Sequence, residues 1–97
     1  MPEAESTSHT TCCFSVFAAP DAGIMPRVLE LFAKRGLVPA RFHGDVVGAG
    51  EDGLVIDVHV RGLAPDTAEH VAACLRGFVG IDRVLTATKR RATALGA

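Results

Sequence analysis

Residues 19–36 read Ala19-Pro-Asp-Ala-Gly-Ile-Met-Pro-Arg-Val-Leu-Glu-Leu-Phe-Ala-Lys-Arg-Gly36. Ala-Pro-Asp ends whatever precedes it, and the stretch then turns helical. Ile24, Val28, Leu31 and Phe32 recur at helical spacing, widened by Met25 and Leu29, while Arg27, Glu30 and Lys34 take the other side. Pro26 bounds the start, because proline beyond the first turn removes a backbone bond and clashes with the preceding turn. The N-cap is therefore no earlier than about Gly23, and Gly36 ends the helix as its C′ residue.

Outward from this helix the periodicity changes to two. Before it, Thr11 to Ala18 alternates Cys12, Phe14, Val16 and Ala18 against Cys13, Ser15 and Phe17, a largely buried strand. After it, Leu37 to Val47 alternates Ala40, Phe42, Gly44 and Val46 against Arg41, His43, Asp45 and Val47. A Gly-Ala-Gly-Glu-Asp-Gly turn leads to Leu54, Ile56, Val58 and Val60 opposing Val55, Asp57, His59 and Arg61, which completes a hairpin with one apolar and one polar face. Pro65 and a capping-box-like Asp66-Thr67-Ala68-Glu69 open a second helix with the stripe Ala68, Val71, Ala72 and Leu75, which Gly77 stops. Ile81 to Ala87 reads as a last strand. The order β-α-β-β-α-β predicts an α+β, ferredoxin-like sandwich: a four-stranded antiparallel sheet in the order 4-1-3-2 with both helices on one face.

Ninety-seven residues at 48% hydrophobic and 22% charged allow one compact core, since a chain this short buries only about 60–65% of its unfolded surface. Residues 1–10 and 88–97 read as tails around a domain at 11–87. The net charge of −1 gives no broad positive field, and Lys89-Arg90-Arg91 reads as an isolated cluster, so no nucleic-acid partner is expected. The polar start has no secretory pattern and no apolar run reaches the roughly 18–20 residues of a membrane span, which predicts a cytoplasmic protein. Cys12 and Cys13 point to opposite faces and Cys74 sits on a helical stripe with Val71, Leu75 and Phe78. With no Cys-x-x-Cys present, the thiols read as buried and inert, and no cofactor is implied.

The loop and first helix resemble the ACT domain family, whose pattern is roughly Pro-Gly, two apolar positions, a valine three further on, then a helical run ending Gly-x-Asn-apolar. The matching residues are Ala22-Gly23-Ile24-Met25-Pro26-Arg27-Val28 and Leu31-Phe32-Ala33-Lys34-Arg35-Gly36-Leu37-Val38-Pro39. The Leu-Phe-Ala-Lys-Arg-Gly run looks like the small regulatory subunits of acetohydroxyacid synthase. The resemblance implies a non-catalytic amino-acid sensor that forms a homodimer through the edge strand 37–47. It would bind a branched-chain amino acid between the first loop of one chain and the second strand of its neighbour, and act on a thiamine-diphosphate-dependent catalytic large subunit. Carried over, the ligand site comprises Asp21, Ala22, Gly23, Ile24, Met25 and Val38, with the N–H groups of Gly23, Ile24 and Met25 facing the ligand at a helix N-terminus. Ala22 stands where the family has proline and Val38 where it has asparagine, so a polar contact worth about 0.5–1.5 kcal/mol is missing and a weak or insensitive sensor is one expectation. Pro39, with no N–H, suits an edge strand.

Two other readings stand beside it. His43 and Asp45 share a strand face with Asp57 and His59 across the hairpin, a set of ligands suited to a first-row metal, although an open polar sheet face is usually just solvated. A freestanding dimeric interaction module with no small ligand is the other. Catalysis is not expected: the acylphosphatases share this element order, but their Gly-Arg-Val-Gln-Gly-Val loop is absent, and no Ser/His/Asp or Cys/His set at nucleophile spacing replaces it.

Overall fold

The computed structural model describes residues 10–90. Its elements are β1 (Thr10–Ala18), α1 (Ile24–Lys34), β2 (Arg41–Val47), β3 (Gly53–Arg61), α2 (Pro65–Arg76) and β4 (Ile81–Arg90). The strands form one antiparallel sheet in the order β2-β3-β1-β4. This is the expected ferredoxin-like arrangement, with β2 and β4 at the edges.

The two-residue alternation of β1 and β3 decides which face the helices cover. Cys12, Phe14, Val16 and Ala18 from β1 and Leu54, Ile56, Val58 and Val60 from β3 are buried together with Ile24, Val28, Leu31, Phe32, Val71, Ala72 and Leu75 from the helices. At the centre the Phe14 and Phe32 rings meet edge to face, with centroids 5.4 Å apart and planes at 74°, an arrangement favoured by the ring quadrupoles. Among the described residues no helix covers the other sheet face.

The ends of α1 follow the glycine and proline positions closely. Gly23 is the N-cap, which puts Pro26 within the first turn, where no intrahelical donor is lost. At the other end Gly36 takes φ +70°, its N–H donates to Ala33 O at 3.0 Å and the Leu37 N–H donates to Phe32 O at 2.9 Å. Those paired bonds form a Schellman turn, which needs a left-handed residue at that position. Helix α2 differs from expectation at its start. Pro65 occupies the first turn and Ala64 is the N-cap, without a side-chain bond, so Asp66 lies inside the helix and makes no capping box; the fixed φ of proline suits the first helical position.

Two strand boundaries also differ. Ladder pairing of β2 begins at Arg41, not Leu37. The Leu37 N–H is consumed by the Schellman turn and Pro39 has none to give, so the Ala40 N–H, bonded to His59 O at 2.7 Å, is where pairing to β3 starts. Pro39 accordingly precedes the edge strand. In contrast, β4 runs past Ala87, with Thr88, Lys89 and Arg90 opposite Cys12, Thr11 and Thr10. Lys89 and Arg90 are therefore strand residues beside the rest of the sheet, not an isolated cluster, while Arg91 lies outside the described residues.

Candidate functional site

The β1–α1 loop is held mostly by its own backbone. The Ala19 N–H donates to Gly80 O at 2.9 Å, the Asp21 N–H to Ala19 O at 2.8 Å and the Ile24 N–H to Asp21 O at 3.0 Å. The Gly23 N–H donates to Asp21 Oδ1 at 2.8 Å, an Asx turn of the kind that short carboxylate side chains form. Two of the three N–H groups that the sequence offers to a ligand, those of Gly23 and Ile24, are thus already engaged by Asp21. Gly23 has φ −81°, so no unusual backbone conformation calls for glycine there. The Arg27 side chain folds back over the cap, with Nε donating to Gly23 O at 3.2 Å.

Met25, at the start of α1, lies across β2. A Cβ placed on Gly44 would fall 2.5 Å from the Met25 sulfur, so this strand position admits the methionine only because it lacks a side chain. Val38 is 84% exposed just beyond the far end of α1. A helix of 11 residues is about 16 Å long at 1.5 Å per residue, so Val38 and the Asp21–Met25 loop do not meet within one chain. Only a second copy would bring them together.

On the helix-free face, His43 Nε2 and Asp45 Oδ2 are 3.0 Å apart, an exposed pair of small energetic consequence. His43 sits opposite Asp57, but His59 sits opposite Arg41 and Asp45 opposite Val55. The Ser15 hydroxyl donates to Asp57 Oδ1 at 3.3 Å. Among the described residues no group of three or more His, Cys, Asp or Glu is placed to hold a metal ion, because the register offsets the four hairpin residues along the strands.

The cysteines are not alike. All three are free; Cys12 is buried, whereas Cys13 and Cys74 are half-buried, which corrects the expectation of three buried thiols. Arg35 Nη2 donates to His70 Nε2 at 3.0 Å and to Cys74 Sγ at 3.2 Å. Residues 70 and 74 are one helical turn apart and so pair legibly in sequence, but no local pattern points to Arg35, which arrives from the end of the other helix. Burial, followed by the neighbouring Cys13 and Glu69 charges, pushes the Cys12 thiol above its ordinary value. Iodoacetamide at neutral pH is expected to label Cys13 and Cys74 in the folded protein and Cys12 only on unfolding, read by peptide mass spectrometry. Because the folded state holds this proton more tightly than the unfolded chain, the associated stability is present below the ordinary thiol range and lost as pH rises from there through the higher folded-state value.

A profile of the ACT-like domain family matches residues 5–93. The chain belongs to the ACT-like domain family. Domains of this family are generally regulatory and non-catalytic, and they commonly dimerise and bind amino acids. No curated protein matches the chain in sequence. Among solved structures, the C-terminal domain of the MgtC protein from Mycobacterium tuberculosis superposes with a TM-score of 0.69 at 14% identity, covering 86% of this chain and 90% of that one. The ACT domain of the GTP pyrophosphokinase of Chlorobium tepidum follows at 0.67 and 10%, covering 79% and 96%. The regulatory subunit of aspartate kinase from Thermus thermophilus gives 0.63 and 14%, covering 82% of this chain and 51% of that chain. At these identities the likeness is one of fold. No helix among the described residues is long and apolar enough to cross a membrane.

Proposed function

We propose that the chain acts as a non-catalytic regulatory domain that pairs with a second copy along the edge of β2. A branched-chain amino acid would sit at the seam, between Asp21, Ala22, Gly23, Ile24 and Met25 of one copy and Val38 of the other. The regulated enzyme in this reading is a thiamine-diphosphate-dependent acetohydroxyacid synthase large subunit. The observation that carries the pairing is the edge itself: among the described residues β2 is the outer strand of the sheet, Val46 and Val47 on it are 56% and 40% exposed, and Val38, just before it, is 84% exposed. Unpaired ladder groups beside exposed valines favour strand-to-strand association.

Light scattering at micromolar concentration is expected to report a dimer, and Val46→Lys is expected to shift it toward monomer; a wild-type monomer sinks the pairing. Thermal unfolding with valine, leucine and isoleucine tests the ligand, since an amino acid at 100 times its dissociation constant adds about 2.7 kcal/mol. Co-purification with the large subunit and a changed turnover test the enzyme assignment. A second reading, a dimeric module with no small ligand, is favoured by one observation: the Asp21 carboxylate already holds the Gly23 N–H. A dimer whose melting no amino acid shifts would select it.

A further inference from the structure

The sheet register gathers cations that are far apart in sequence. Thr11 on β1 faces Arg61 on one side and Lys89 on the other, so these three residues form one row across the helix-free face. Strands lie about 4.8 Å apart, which sets the Arg61 and Lys89 backbones roughly 10 Å from each other with Thr11 between them. One row further along the same face, Arg41 stands opposite His59. Together with Arg90 these residues line an open groove of about 360 Å³ that, among the described residues, has no acidic residue in its wall.

Among the described residues the single ion pair is that of His43 with Asp45, so Arg41, Arg61, Lys89 and Arg90 have no carboxylate partner. The acids on this face are turned to other uses: Asp57 accepts from Ser15 and Asp45 is held by His43. In a chain of net charge −1, four permanent positive charges around one groove create a local potential opposite in sign to the whole. Clustered unpaired cations repel one another, and a multivalent anion relieves that repulsion.

We propose that this groove binds a small phosphorylated anion carrying at least two phosphoryl groups, of the pyrophosphate class. Guanidinium groups offer paired N–H donors that match phosphate oxygens, and the ammonium adds a compact charge. Arg61 and Lys89 approach from either side of the Thr11 hydroxyl, which can donate to an oxygen between them, while Arg41 reaches a second phosphoryl group from the adjacent row. A single carboxylate would neutralise only part of this set. The volume lies at the lower end of the range for small-molecule sites, about 300–1,000 Å³. The groove begins at the Thr11 end of β1, whereas the Asp21–Met25 loop follows its other end. Thr11 to Ala18 spans about 23 Å at 3.3 Å per residue, so the groove is separate from that loop, while Ala40 and Arg41 in its wall follow Val38 by two and three residues.

Titration calorimetry of the full chain at low ionic strength, with inorganic pyrophosphate as the probe, tests it. Saturable one-site binding is expected, weakening as salt is added and stronger than that of orthophosphate or citrate. Arg61→Gln combined with Lys89→Gln is expected to weaken pyrophosphate at least tenfold, while Arg83→Gln, on the same face but stacked 4.4 Å above the Phe17 ring, leaves affinity within twofold. All the substituted residues are exposed, and circular dichroism checks that the variants are folded. The proposal is overturned by no saturable binding at millimolar pyrophosphate, by equal binding to the double variant, or by a single-stranded oligonucleotide that binds more tightly and displaces the probe.

Discussion

Phe32→Ala is expected to lower the unfolding free energy by about 3–5 kcal/mol, the usual cost of removing a fully buried aromatic ring. Phe32 has no exposed surface and sits where α1 meets the sheet, against Phe14. Its removal deletes the edge-to-face contact as well as apolar burial. The carbonyl of the same residue anchors the Schellman turn through Leu37, so the backbone there cannot simply sink to fill the void. For domains whose total stability is only about 5–15 kcal/mol, such a loss brings the variant close to unfolding. Urea titration followed by circular dichroism measures it; a shift below about 1 kcal/mol would mean that the core relaxes around the vacancy.

Gly80→Ala is expected to be the next most damaging change, at about 2–5 kcal/mol, from two causes that act together. The residue has φ +93°, where an L side chain costs about 1–2 kcal/mol. A Cβ would also stand 2.9 Å from Ile24 Cδ1, a fully buried atom that can move only by repacking, with an overpacking cost of about 1–3 kcal/mol. Gly50→Ala is the control, since nothing lies within 4 Å of its added Cβ. Adding Ile24→Val removes the clashing methyl, so the double variant should lose less than the sum of the singles, a coupling that thermal melts resolve. Additive losses would assign the whole effect to φ.

The strands and the α1 termini were legible because their signals are local. Alternation in β1 and β3 specifies which face is buried, and Pro26 and Gly36 mark α1 through steric rules that tertiary context does not change. The start of β2 was not, because it depends on where the Leu37 N–H is spent, and alternation at Leu37 and Val38 looks the same whether that donor caps a helix or joins a ladder. The α2 cap departs from its motif for a related reason: Asp66 satisfies the pattern, yet Pro65 takes the first helical position. In the candidate ligand loop, Asp21 and Gly23 were legible as a pair of turn residues, but not the bond between them. The cationic groove was least accessible, since Arg41, Arg61 and Lys89 become neighbours only through three strand registers.

The bond from the Gly23 N–H to the Asp21 carboxylate also bears on selectivity. A tethered group competes at an effective concentration that, for short links, reaches the millimolar range or beyond. Any external carboxylate arriving at this helix start has to displace an occupant that never diffuses away. Only a ligand that gains contacts elsewhere, on a neighbouring chain or along β2, would win that exchange, so under the proposed amino-acid reading this bond would select against simple carboxylates.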